Sequence, residues 1–136
     1  MELWRKKVMN QYEEWLIKEL QCIHGFKYQD FKHLDKYSYD ISKDVLRILI
    51  ENACLGQNYA PVELARKKIS EISAEWLKEN LLEIASSCID FEDEWEYRRL
   101  MELIIVVIPE LKNQLLIIGE NSANAEVKEV VEDFRD

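Results

Sequence analysis

Apolar residues recur every three or four positions along most of this 136-residue chain, with charged residues between them, and that period predicts helices almost from end to end. Trp4, Val8, Tyr12, Leu16 and Leu20 form one stripe, widened by Trp15 and Ile23, so a first helix is expected from Glu2 to Ile23, stopped by Gly25. Residues 26–41, FKYQDFKHLDKYSYDI, carry the weakest periodicity; a short helix around Gln29–Lys36 is expected, with irregular chain on either side. Ser42 reads as the N-cap of KDVLRILIENACL, in which Val45, Leu46, Leu49, Ile50 and Ala53 share a face and Gly56 ends the helix. Pro61 fits the first turn of the next helix, which turns Val62, Ala65, Ile69 and Ile72 inward and Arg66, Lys67 and Lys68 mostly outward. Ser73 caps a fourth helix, with Trp76, Leu77, Leu81, Ile84 and Cys88 at helical spacing.

The stretch EDEWEYRRLMELIIVVIPE (92–110) starts with charges of both signs, becomes apolar throughout and stops at a proline. Asp90, Glu92 and Asp93 precede it, where carboxylates offset the positive end of a helix dipole. Tyr97, Leu100, Met101, Ile104 and Ile108 form its stripe, and Glu94–Arg98 and Arg98–Glu102 are i,i+4 pairs on the other side. Beyond Glu102 every face is apolar, which predicts a helix covered all round; a buried strand is the competitor, since Ile and Val favour strands. Pro109 ends that helix and starts another through Leu111, Leu115 and Ile118 to Gly119. A last helix, from Ala123 or Asn124 to Phe134, places Val127, Val130, Val131 and Phe134 inward.

Two internal matches organise these helices. WLKENLLEI (76–84) and ELKNQLLII (110–118) align at an offset of 34, and EYRRLME (96–102) aligns with EVKEVVE (126–132). Paired helices recurring at such a distance suggest stacked antiparallel hairpins, each burying its apolar face on its neighbours. The expectation is an all-α fold of six to seven helices, built as a right-handed superhelix of hairpins or as a compact bundle. Residues 1–136 then form one domain, with an N-terminal helix and aromatic-rich cap over 1–41 and hairpin repeats over 42–136.

Composition agrees. Three Gly and two Pro are few for a sheet protein, whose turns need both. The net charge of −9 comes entirely from residues 41–136, because 1–40 hold seven basic and seven acidic residues. An acidic surface repels phosphate and anionic lipid and favours a basic partner. Cys22, Cys54 and Cys88 are scattered with no Cys-x-x-Cys, so a reducing compartment is expected. The N-terminus has no signal-peptide pattern and LIIVVI is far too short to span a bilayer, so the expected location is cytoplasmic.

SANAEVKEVVEDF (122–134) resembles the second helix of HEAT-like repeats: a polar cap, Glu-Val-Lys, then branched apolar residues. DEWEYRRLMELI is a looser version, and the resemblance spans residues 42–136. Its spacing is shorter than the ~40–47 residues of HEAT and armadillo units. The resemblance implies a curved helical scaffold that binds proteins or, in some branches, nucleic acid. It implies no catalytic residues.

Candidate chemistry is sparse. Cys22, His24 and His33 lack the i,i+3 or i,i+4 spacing of helical metal ligands, and there is no Glu-x-x-His, phosphate loop or nucleophile elbow. No catalytic residue, metal or cofactor is expected. Glu92, Asp93, Glu94 and Glu96 with Arg98 and Arg99 form the candidate partner-binding edge, against a reading in which the carboxylates only cap and solvate a helix. The expected function is a non-enzymatic protein–protein interaction module for a basic partner, in kind like small immunity or antitoxin-like proteins, with homo-oligomerisation left open. One alternative is an enzyme or small-ligand binder with an interhelical pocket. Another is single-stranded nucleic-acid binding through Lys27, Lys32 and Lys36 interleaved with Phe26, Tyr28, Phe31, Tyr37 and Tyr39; a cap over the open end of the helical stack explains the same residues.

Overall fold

Side-chain caps set most of the helix starts. The computed structural model describes the backbone of residues 2–135 and the side chains of residues 11–135. Among the described residues it holds seven α-helices, two 3-10 turns and no strand, so the chain is all-α. Helix α1 is Glu2–Gln21, followed by a 3-10 turn over Phe31–Lys36. Then come α2 (Tyr39–Leu55), α3 (Tyr59–Ser70), α4 (Ala74–Cys88) and α5 (Glu94–Val107). A 3-10 turn over Pro109–Leu111 leads into α6 (Lys112–Glu120), and α7 is Ala125–Phe134. The hydroxyl of Ser73 accepts from Trp76 N–H at the start of α4, and Asn124 Oδ1 accepts from Glu126 N–H at the start of α7.

Ser42 is not the cap of α2. Ser38 takes that role, accepting from Ile41 N–H, so α2 begins three residues before Ser42. Ser42 is buried inside the helix, where its hydroxyl donates to Leu34 O at 2.7 Å and ties the first 3-10 turn to α2. Helix α1 stops at Gln21 rather than Ile23, and Gly25 follows at φ +95°, a conformation that L side chains resist.

Helices α1, α3, α5 and α7 form a row, each packed on the next, and α2 packs on α1, α3 and α5 of that row. Helix α2 also touches α4 and the Phe31–Lys36 turn; α6 packs on α5 and α7. The core therefore centres on α2, where Val45, Leu46, Leu49, Ile50, Ala53 and Cys54 are fully buried. Helix α4 packs chiefly on α2 and not on its sequence neighbour α5, unlike a simple stack of hairpins. The matched stripes on α5 and α7 are buried in register: Tyr97, Leu100 and Met101 on one, Val127, Val130 and Val131 on the other.

Some inward assignments fail. Leu16 and Leu20 are buried, but Trp15 is 51% exposed; Trp4 and Val8 lie outside the described side chains. The segment 103–107 is helical, yet it is not covered all round: Ile105 and Val106 are exposed, the latter 67%. Ile118, aligned with fully buried Ile84, is exposed on α6. Gly119 does not end its helix but sits buried within it. Arg66 and Lys68 lie mostly covered, because α5 packs on α3 and the Tyr28 and Phe31 rings stand over Lys68 where the sequence offered only solvent. Among the described residues, no helix is long and apolar enough to cross a membrane.

Candidate interaction site at the start of helix α5

The acidic residues before α5 are occupied from within. Asp93 Oδ1 accepts from Glu96 N–H at 3.0 Å and Glu96 Oε1 accepts from Asp90 N–H at 3.1 Å, so both carboxylates close the helix entrance. Glu92 reaches further: its Oε2 accepts from the Ser122 hydroxyl and its backbone oxygen accepts from Asn124 Nδ2 at 2.8 Å. That pair clamps the α4–α5 connection to the α6–α7 turn. The capping reading of Glu92, Asp93 and Glu96 thus has geometric support, and Glu94 is the carboxylate of the four that accepts no bond in these turns.

The arginines follow a different pairing from the i,i+4 one. Arg98 donates to Asp133 Oδ2 of α7 at 2.7 Å and lies over the Phe134 ring. Glu102 meets Arg66 of α3 (3.4 Å) and Arg99 (3.7 Å), both through the same Oε1. Tertiary neighbours outcompete the local partners because α3 and α7 flank α5 on both sides.

Trp95 stands among these charges, 49% exposed, with the Arg99 guanidinium 4.5 Å from its ring centre. The sequence did carry this signal. Trp95, Arg99 and Glu102 fall at i, i+4 and i+7 on the side of α5 away from the Tyr97–Ile104 stripe, so a tryptophan off the apolar face was visible. Arg66 and Asp133, 36 and 35 residues from their partners, were not.

The rings of the aromatic and lysine segment pack on one another, Phe26 on Phe31 and Tyr37 and Tyr28 on Phe31; Tyr39 alone of the five is exposed. Lys68 enters from α3, within 6 Å of the Tyr28 and Phe31 ring centres and 3.3 Å from Glu13. The Tyr28 hydroxyl donates to Glu13 at 2.8 Å, and this bond, with Lys68, holds the Glu13 carboxyl below its ordinary range. A surface depression of about 570 Å³ beside it is lined by Gln29, Phe31, Lys32, Lys68 and Glu71. Its most buried cation, Lys68, is already matched by Glu13 and Glu71.

His33 bonds Asp30, and among the described residues no three metal-ligating side chains converge. Burial pushes the Cys54 thiol up to about 12, with the charges of Arg66 and Arg99 pulling the other way, and pushes Cys88 up to about 11. Tyr97, also buried, is pushed up to about 12. Two consequences are testable. Iodoacetamide at mildly alkaline pH should alkylate exposed Cys22 quickly and Cys54 only on unfolding. The unfolded chain loses these protons first above about pH 9, so stability should fall from there as pH rises through the folded-state values. Rapid labelling of Cys54 in the folded protein, read by mass spectrometry, would contradict the buried position.

Compared with known protein families, curated proteins and solved structures, the chain shows no match to any of them.

Proposed function

We propose that this chain is a non-enzymatic protein–protein interaction module, and that its binding edge is the start of α5. The observation that carries the reading is Trp95: a large ring half exposed at a capped helix entrance, held by Arg99 and set between Glu94 and Glu96. Tryptophan and arginine are the residue types that dominate interface energetics, and a pre-ordered ring loses little entropy on binding. The acidic surroundings and net charge of −9 favour a basic partner and fast, salt-sensitive association. The neighbours of α5 in the row, α3 and α7, hold that edge in place from either side.

The test is capture from source lysate with wild type and Trp95→Ala side by side. One stoichiometric basic protein, released as salt rises, is expected; Trp95→Ala should weaken it by about 2 kcal/mol without altering thermal unfolding. Glu94→Lys should lower the association rate, whereas reversals at Glu92, Asp93 or Glu96 would confound binding with folding. Undiminished affinity in Trp95→Ala would sink this edge as the interface.

A further inference from the structure

We propose that Arg66 and Arg99 form an oxyanion site, and that the group it takes is the carboxylate of an Asp or Glu side chain on the partner. The identity of the donor rests on the interaction reading above; the site itself does not.

The two guanidiniums carry donors that the surrounding acceptors do not match. Each guanidinium offers five N–H groups in a planar fork. Arg66 and Arg99 are only 17% and 16% exposed, so most of that capacity is removed from water. Among the described residues one oxygen stands against it: Glu102 Oε1, 3.4 Å from Arg66 and 3.7 Å from Arg99, the second beyond hydrogen-bond reach. The Nε–H of both arginines is buried and meets no acceptor among the described residues. Two cations sharing one carboxylate leave a net positive spot inside a chain of charge −9. Glu96, one turn before Arg99, is engaged at the α5 entrance by Asp90 N–H. Burying cations with so few acceptors costs folding free energy, which a second carboxylate would return.

The shape of the site selects the ligand. The Trp95 ring covers one face of Arg99, which leaves a guanidinium edge, the geometry that a planar carboxylate matches with two parallel bonds. A phosphate dianion would meet repulsion from Glu94, Glu96 and Glu102, while a monoanion meets less. Glu102 already shows that a carboxylate fits between the two arginines, and at 38% exposure it can swing aside for another. A partner of the expected kind would thus present one acidic side chain beside an apolar group for Trp95, within an otherwise basic patch.

The experiment titrates sodium acetate into the isolated protein at constant ionic strength, with chloride as the replaced anion. The readout is the Nε–H NMR signals of Arg66, Arg99 and Arg98. Acetate should move the first two saturably, with the Trp95 indole N–H moving alongside, while Arg98 stays in place on Asp133. Glu102→Gln removes the internal competitor and should lower the half-saturating acetate concentration about tenfold. If that variant fails to fold, the wild-type titration still decides. Equal, non-saturating movement with acetate and chloride would overturn the site. Saturation by phosphate but not acetate would overturn the carboxylate assignment. Once a partner is in hand, Arg99→Lys should cut its affinity along with the acetate response. Full affinity in that variant would overturn the claim that the partner fills the site, whereas absence of any partner would strike the interaction reading alone.

Discussion

Gly119→Ala is expected to destabilise the protein by about 2–4 kcal/mol, although alanine is the better helix former. In an exposed helix the exchange would gain about 1 kcal/mol from lower backbone entropy in the unfolded chain. Gly119 instead lies where α6 meets α5 and α7. An added Cβ would stand 2.5 Å from Val131 Cγ2 and 2.7 Å from Tyr97 Cζ, and closer still to the Tyr97 hydroxyl oxygen. Tyr97 cannot yield cheaply, because it is fully buried and its hydroxyl donates to Leu115 O at 2.7 Å. Moving the ring breaks that bond and leaves a buried hydroxyl without its acceptor. Urea unfolding should show a lower midpoint with an unchanged slope. Tyr97→Phe removes the nearest clashing atom, so in the double variant the two costs should add to less than their sum. A neutral or stabilising Gly119→Ala would mean that α7 does not seat on α6 through this glycine.

Leu49→Ala should cost about 3–5 kcal/mol and unfold the whole chain in one transition. Leu49 is fully buried near the middle of α2, the helix that touches α1, the Phe31–Lys36 turn, α3, α4 and α5. A cavity there loosens every one of those contacts at once. Val127→Ala, in α7, removes fewer atoms from a helix that packs chiefly on α5 and α6, and should cost less. The comparison also separates architectures. A linear repeat stack would melt in steps from the damaged unit outward, whereas a fold centred on α2 loses near-ultraviolet dichroism and hydrogen-exchange protection together.

Helix identity was legible because it rests on local chemistry. Ser73, Asp93 and Asn124 each cap the helix that follows them, and the stripes over 77–84, 97–104 and 127–131 are buried as their spacing implies. A cap needs a side chain and an N–H two or three residues away, and a stripe needs only the helical period. Ser42 shows the limit. As a serine before an apolar run it had the right pattern, yet Ser38 lay one turn upstream with the same chemistry, and only the packing of Leu34 onto α2 decided between them.

The acidic edge shows the same division. Its carboxylates at a helix entrance were readable. That Glu92 binds Ser122 and Asn124 was not, since those residues lie 30 and 32 positions away. The same holds for Arg66 meeting Glu102 beside Arg99, and for Lys68 sheltering under Tyr28 and Phe31.

By itself, the sequence determined that this protein is all-α, where α4, α5 and α7 begin and which stripes those three helices bury, because caps and periodicity act within one or two turns. The tertiary structure alone decided that α2 is the centre, that three of four candidate carboxylates serve the turns, and that two arginines share one glutamate beneath an exposed tryptophan. Those outcomes depend on side chains brought together from distant helices, where burial and geometry choose among partners that sequence spacing leaves equivalent.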